Sequence, residues 1–155
     1  MGSVRAGMAA ATVAVVVLGG CAAGVRDSAG QVTAAATTDT YSVQVGDCLA
    51  KLPAESADEL TLLPCSETHY WEAFASAALD GDDYPGDSDV RNQAEKACDD
   101  AFPGFVGVTS KKSKLDVTML TPTRQTWTQA NDRQVVCLVG SAGGGITGTL
   151  RNARK

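Results

Sequence analysis

Cys65 and His69 are the two residues whose types and spacing come closest to reactive chemistry. A thiol and an imidazole separated by three residues can form a nucleophile and its base, or half of a metal site. His69 is the single histidine of the chain, so a metal site with two histidines is not available. The four cysteines after residue 40 are an even number, which favours disulfides over a free thiolate. We therefore predict that Cys65 is a disulfide cysteine beside a strand-starting histidine, and we predict no metal site.

Five aspartates between residues 80 and 89 could suggest a calcium site, because this ion prefers oxygen ligands. A calcium loop of the helix–loop–helix type needs alternating ligands, then a glycine, then a distant glutamate. Tyr84 and Pro85 occupy the place where a third ligand belongs. We predict instead a solvated acidic loop, in which Asp87 or Ser88 caps the helix that follows.

Residues 143–148 match the pattern G-x-G-x-x-G, but a dinucleotide site also needs a following helix and an acid about 20 positions later. We interpret this stretch as a flexible glycine turn that leads into a candidate edge strand over 146–150. No serine has a base other than His69, and no nucleophile-elbow motif occurs. We predict that the protein is not an enzyme, with no catalytic residue and no cofactor.

Cys21 follows a segment that is typical of export. Arg5 precedes an apolar run over 9–18, which is too short to span a bilayer and predicts a signal peptide over residues 1–20. The sequence Leu18-Gly19-Gly20-Cys21 resembles the lipobox of bacterial lipoproteins. That resemblance implies cleavage before Cys21 and a diacylglycerol on its thiol, which would anchor the protein at the extracytoplasmic face of the cell membrane.

The net charge of the chain determines which charged partners it can attract. The formal net charge is −5, and no basic cluster large enough to attract phosphates occurs in the sequence. An acidic chain is repelled by nucleic acid and by anionic lipid. We therefore expect no nucleic-acid partner, and we expect membrane attachment through acyl chains at Cys21.

The chain length of 155 residues allows one folded domain with one core. Residues 21–40 comprise the lipidated Cys21 and a stretch with few large apolar side chains, which predicts a flexible tether. We expect the domain over 41–150. Residues 151–155 form a basic tail with Arg151, Arg154 and Lys155.

Alternating apolar residues predict strands over 41–45, 69–79 and 115–119, and short apolar runs predict strands over 60–63 and 134–139. The alanines of 69–79 favour a helix by propensity, but the alternation favours a strand, which we adopt. Apolar residues at three- and four-residue spacing from Val90 to Phe102 predict the main helix, ended by Pro103 and Gly104. These elements give an α+β fold, with a small antiparallel sheet of about four or five strands, one main helix and two disulfides.

Three disulfide pairings are open to the four cysteines Cys48, Cys65, Cys98 and Cys137. Pairing Cys48 with Cys65 and Cys98 with Cys137 closes the shorter loops, and we favour it for that reason. Because Cys98 lies on the apolar face of the predicted helix, its bridge would join helix to sheet.

Several short motifs follow one another in a recognisable order. They are Val45-Gly46-Asp47-Cys48, Pro64-Cys65 with His69 and Glu72, Tyr84-Pro85-Gly86, Cys98 with Phe102, and Trp127 with Asp132-Arg133 and Cys137. This order is similar to the septum-formation domain of actinobacterial-type envelope proteins. The resemblance implies an extracytoplasmic domain, behind a lipid anchor or a transmembrane helix, that is linked to cell division. It implies no catalytic residues.

Our leading functional hypothesis is a binding or scaffolding module of the cell envelope, with envelope or division proteins or wall polymer as partners. The first alternative is an enzyme acting on wall polymer through Glu72 or the acids of 80–89. The second alternative is a carrier with an enclosed apolar cavity for a small ligand. Trp71 and Trp127 are interpreted as core residues or disulfide neighbours, and the alternative is an aromatic contact on a binding face.

Overall fold

The computed structural model describes residues 25–54 and 59–155. The predicted signal peptide and the predicted lipidation site Cys21 lie outside these residues. The described strands are β1 (Ala36–Thr38), β2 (Cys48–Leu49), β3 (Leu60–Leu63), β4 (Trp71–Ala78), β5 (Asp116–Leu120) and β6 (Gln134–Gly140). The described helices are α1 (Asp87–Val106) and α2 (Arg124–Gln129), with 3-10 turns at Thr40–Ser42 and Ser110–Lys112.

The six described strands form one curled antiparallel sheet in the order β1-β3-β2-β4-β6-β5. The longest ladder joins β4 to β6, and its register shifts between Ala73 and Ala75. This confirms the predicted α+β class and the predicted strand over 69–79. The predicted strand count was too low, because β1 and β2 join the sheet without an alternating sequence.

The two faces of the sheet bury two separate sets of side chains. From Val135 to Gly140 every residue of β6 is buried. Val135, Cys137 and Val139 pack toward α1, while Val136 and Leu138 pack on the opposite face. Trp127 belongs to the helix-side core and Trp71 to the opposite core, so both tryptophans are core residues, as predicted. Burial on both faces explains the nearly continuous apolar run of β6.

Helix α1 differs from the prediction at both ends. Gly86, with φ of 107°, precedes the helix and makes no side-chain cap, so the predicted cap at Asp87 or Ser88 is wrong. Asp87 and Asp89 instead lie in the first turn, where the helix dipole favours negative charge. The helix also continues through Pro103 to Val106. Burial of Phe105 and Val106, each contributing about 1.5–3 kcal/mol, offsets the cost of about 3 kcal/mol for an interior proline.

Two predicted strands are absent from the described residues. Over 41–45 only Val43 is buried, whereas Tyr41 and Val45 are 43% and 48% exposed, so the alternation marks no sheet face. The region begins instead as a 3-10 turn capped by Asp39. Over 146–150 a single bridge joins Ile146 to His69.

The predicted tether is partly incorrect, since residues 25–40 lie against the domain. Strand β1 pairs with β3, Val32 is buried, and Arg26 forms an ion pair with Asp47. A strand of Ala-Thr-Thr joins a sheet through its backbone hydrogen bonds, which require no large apolar side chain. Composition alone therefore did not indicate this contact.

The basic tail packs on the C-terminal end of α1. The backbone N–H groups of Asn152 and Arg154 donate to the carbonyls of Phe105 and Val106, at 2.7 and 2.9 Å. The Arg151 guanidinium lies 4.4 Å from the centre of the Phe105 ring. The tail thus satisfies terminal carbonyls of the helix and brings positive charge to the negative end of its dipole.

Both favoured disulfides are present, Cys48–Cys65 and Cys98–Cys137, with Cα separations of 5.2 and 5.5 Å. Cys98–Cys137 joins α1 to β6, as predicted, and both of its residues are buried. Among the described residues, no helix has the length and apolarity needed to cross a bilayer.

Candidate functional site

Asp47, His69 and Glu72 are the buried polar residues of the described chain; Asp47 directly precedes Cys48, and Glu72 lies beside the Cys48–Cys65 disulfide. We call these three residues and the disulfide the polar cluster. The pairing of β2 with β4 places Cys48 opposite Glu72, and the two sulfurs and a Glu72 carboxylate oxygen lie within 4.8 Å of one another. Because the two sulfurs are bonded to each other, neither is a thiolate. The disulfide prediction for Cys65 is therefore confirmed, and Cys65 and His69 do not form a nucleophile–base pair.

Glu72 fixes the chain near its C-terminal end. Its side chain is 2% exposed and accepts hydrogen bonds from Thr149 Oγ1 and from the Leu150 backbone N–H, at 2.6 and 2.5 Å. A buried carboxylate is stable only when hydrogen bonds or ion pairs replace its hydration. The carboxylate proposed for wall-polymer chemistry is thus fully engaged in holding the segment 149–150.

His69 fixes the segment that follows the glycine-rich turn. Its backbone exchanges two hydrogen bonds with Ile146, at 2.9 and 3.1 Å. Its ring is fully buried, and Nδ1 lies 2.8 Å from the Glu67 carbonyl oxygen, so Nδ1 carries the proton and donates. Nε2 has no hydrogen-bond partner among residues 25–54 and 59–155. The contacts of the ring are therefore structural ones.

Asp47 fixes the N-terminal segment. The Arg26 guanidinium donates to both carboxylate oxygens, at 2.5 and 2.7 Å, and the Gln44 backbone N–H donates to the same carboxylate at 2.8 Å. The hydrogen bond to Asp47 raises the pKa of the Arg26 guanidinium. The Asp47 and Glu72 side chains therefore each hold a distant part of the chain, and the His69 backbone pairs with Ile146.

Replacing Arg26 with alanine should release the segment 25–40 from the domain, because both guanidinium bonds to Asp47 disappear. We expect thermolysin to cleave this segment about tenfold faster, since cleavage follows the population of the locally opened state. The exposed Lys51→Ala variant is the matched control, as it removes one positive charge and no ion pair formed between residues that the structure describes. Equal cleavage rates in both variants would contradict this role of Arg26.

A partly open cavity of about 670 Å³ lies on the sheet face opposite α1, and we call it the cavity. It is lined by Asp39, Thr40, Tyr41, Leu52, Pro53, Ala54, Leu60, Met119, Leu120, Thr121, Thr123, Thr126, Asp132, Gln134 and Val136. Asp39 accepts from the Ser42 N–H at 2.8 Å, and Asp132 accepts from Thr126 Oγ1 and the Gln134 N–H at 3.0 and 2.9 Å. Both carboxylates thus have structural partners, and both residues line the cavity.

The acidic loop lies at the other end of β4 from Glu72. Asp80 lies eight positions beyond Glu72 along a mostly extended stretch, about 25 Å at full extension, so these candidate acids do not converge. Within the loop, the Asp82 carbonyl accepts from Trp127 Nε1 at 3.0 Å. Tyr84 donates to the Asp87 carboxylate, and this hydrogen bond raises the pKa of the Tyr84 phenol. The contacts of the loop in the structure are therefore packing and hydrogen-bonding contacts within the domain.

Sequence analysis missed Arg26, Asp39 and Thr149 as contributors to these sites. Arg26 was detectable only as a lone basic residue in a stretch of small side chains, and it pairs with a carboxylate 21 positions away. Thr149 lies 77 positions from Glu72. Contacts this distant depend on sheet topology, which local patterns do not specify.

Comparison with known proteins identifies the family. Residues 45–154 match the family model described as "Septum formation", so the chain belongs to this family and the resemblance seen in its motifs is confirmed. "Putative lipoprotein LppN" of Mycobacterium tuberculosis is 30% identical over 122 residues, which cover 75% of this chain and 67% of the relative. The protein of the same name from Mycobacterium bovis matches to the same extent. No solved structure gives a significant match.

Proposed function

We propose that this protein is a lipid-anchored binding or scaffolding module of the cell envelope, held at the extracytoplasmic face of the membrane and acting in septum formation. Membership of the septum-formation family supports the envelope and division role. The relative named as a lipoprotein, together with the Leu18-Gly19-Gly20-Cys21 sequence, supports a lipid at Cys21.

The observation that carries the binding role is that the polar cluster makes contacts within the domain, whereas the cavity is open to a ligand. The Asp47 and Glu72 side chains bond to Arg26 and to residues 149–150, and the His69 ring bonds to the Glu67 carbonyl, so these polar groups are used within the domain. The cavity remains accessible, with apolar, hydroxyl and carboxylate groups on its walls. Concave sites with apolar walls and a few polar groups are typical of ligand binding.

The lipid anchor would make weak contacts effective. A domain confined near the membrane meets other envelope components at a high local concentration, so avidity exceeds the affinity of a single contact. The two disulfides keep the domain folded outside the cell, where oxidising conditions preserve them.

Cross-linking in intact cells tests this function. We expect the wild-type protein to be captured with membrane and division proteins, and the Cys21→Ala variant to lose most of that capture and to leave the membrane fraction. The exposed Lys51→Ala variant controls for expression and handling. Equal membrane recovery of wild type and Cys21→Ala would contradict the anchor, and capture of wall-degradation products alone would contradict the non-catalytic role.

A further inference from the structure

Among the residues that the structure describes, no strand pairs with the outer edge of β5. Strand β5 is the last strand of the sheet, and its five residues are all partly or fully exposed, whereas β6 is buried from Val135 to Gly140. The opposite edge strand, β1, has only three residues. Proteins usually protect such edges with lysine, proline or a bulge, but Asp116 is the single charged residue of β5.

The register shows which backbone groups of β5 point outward. At the two ends of the β4–β6 ladder, the Ser141 N–H donates to the Tyr70 carbonyl and the Leu79 N–H donates to the Arg133 carbonyl, at 2.9 and 2.8 Å. Odd-numbered residues of β6 therefore direct their backbone groups toward β4, and even-numbered residues direct theirs toward β5. Leu138 is even-numbered, so its backbone groups point toward β5.

Because Leu138 pairs with Thr118, the backbone of Thr118 faces β6 while those of Val117 and Met119 face away. No hydrogen bond from residues 25–54 or 59–155 reaches the outward N–H and C=O groups of Val117 and Met119. These four groups have the spacing that a further antiparallel or parallel strand requires.

Recesses lie on both sides of this edge. The cavity reaches Met119 and Leu120 from the face opposite α1. A second recess of about 650 Å³, which we call the groove, lies between β5 and α1. The groove is lined by Tyr84, Asp87, Val90, Arg91, Glu95, Val117, Thr118, Met119, Thr121, Pro122 and Thr123. Side chains of a strand added to β5 would alternate between the cavity and the groove.

The charges of both recesses favour a basic ligand. Asp39 and Asp132 line the cavity, and Asp87 and Glu95 line the groove, whereas Arg91 is the one basic residue in the two linings. Three lysines precede the N-terminal end of β5, namely Lys111, Lys112 and Lys114. The basic side chains of a ligand are therefore favoured along the C-terminal half of β5.

We propose that β5 binds an extended basic peptide segment of a partner protein by strand addition. This inference rests on the proposed binding function and assigns it a site and a class of ligand. Backbone hydrogen bonds to Val117 and Met119 would give affinity, and the acidic recesses would select basic side chains.

A proline at position 117 tests the backbone contact. Val117→Pro removes one outward N–H and leaves the ladder to β6 intact, because edge strands tolerate proline where the N–H faces solvent. The probes are blocked peptides of about eight residues that alternate lysine with valine or glutamate with valine. Binding to the purified full-length protein is followed by fluorescence anisotropy. We expect the lysine peptide to bind about tenfold more weakly to Val117→Pro than to wild type.

Val117→Ala is the matched control, since it keeps the N–H and removes more of the side chain than Val117→Pro does. Because only the proline removes the N–H, we expect Val117→Pro to lose more lysine-peptide affinity than Val117→Ala does. We also expect the glutamate peptide to bind wild type more weakly than the lysine peptide does. Absence of lysine-peptide binding, or equal binding by Val117→Pro and wild type, would overturn the proposal.

Hydrogen exchange in the wild-type protein provides a test that does not depend on the fold of a variant. Addition of the lysine peptide should slow exchange at the Val117 and Met119 amides, and unchanged exchange at both would overturn strand addition. A negative result here leaves the Cys21-dependent capture in cells unaffected, because that capture would then involve another surface.

Discussion

Replacing both Cys98 and Cys137 with alanine is expected to lower the free energy of unfolding by about 4 kcal/mol. The disulfide joins residues 39 positions apart and connects α1 to β6, so its loss frees a long loop in the unfolded chain. Both cysteines are buried, and the double substitution avoids leaving an unpaired thiol. Urea unfolding monitored by tryptophan fluorescence measures the change, because Trp127 lies in the same core as the disulfide.

The Cys48→Ala, Cys65→Ala variant gives the comparison. It opens a loop of 17 positions, so the expected loss is smaller, about 3 kcal/mol. A loss below about 1 kcal/mol for the Cys98 and Cys137 variant would mean that this bridge does not join α1 to the sheet in the folded protein.

The Glu72→Ala variant is expected to lose about 3 kcal/mol of unfolding free energy, because the Leu150 N–H and the Thr149 hydroxyl both lose a charged acceptor. The loss should be largest around Leu150, which is buried against the helix-side core. Hydrogen exchange at the Leu150 amide, measured beside urea unfolding, detects this local opening.

Glu67→Ala serves as the control, since the Glu67 side chain is exposed and its carbonyl, which holds the His69 ring, is retained. We expect this variant to unfold like wild type. If Glu72→Ala were as stable as wild type and kept slow exchange at Leu150, the carboxylate would not be what holds the C-terminal segment.

The elements that sequence analysis identified correctly are those whose side chains repeat with a clear period. Helix α1 follows from apolar residues at three- and four-residue spacing, with Val90, Ala94, Cys98 and Phe102 all buried. Strand β4 was identified despite its alanines, because large and small side chains alternate along its sequence. The structure pairs this strand with β6. Cysteine count and loop length were enough to favour the correct disulfides.

The elements that sequence analysis missed depend on contacts between distant residues. Strand β1 is held by its backbone bonds to β3, and its Ala-Thr-Thr sequence has no apolar period. Helix α1 passes Pro103 because Phe105 and Val106 are buried beyond it. The alternation at Tyr41, Val43 and Val45 predicted a strand, but only Val43 meets the core.

In the candidate site, too, local patterns indicated some residues, whereas contacts between distant residues determined their roles. Asp47, His69 and Glu72 stood out within the motifs, yet their roles became clear only once Arg26, Ile146 and Leu150 were placed beside them. The outward groups of β5 follow from the register of β6, which no local pattern in the sequence specifies.

Mass spectrometry of the protein extracted from its own cells tests the central claim most directly. The account predicts a mature chain that begins at Cys21, carries a diacylglycerol on that residue, and contains Cys48, Cys65, Cys98 and Cys137 as two disulfides. A chain that retains residues before Cys21 with an unmodified thiol, or one whose other four cysteines are free, would contradict it.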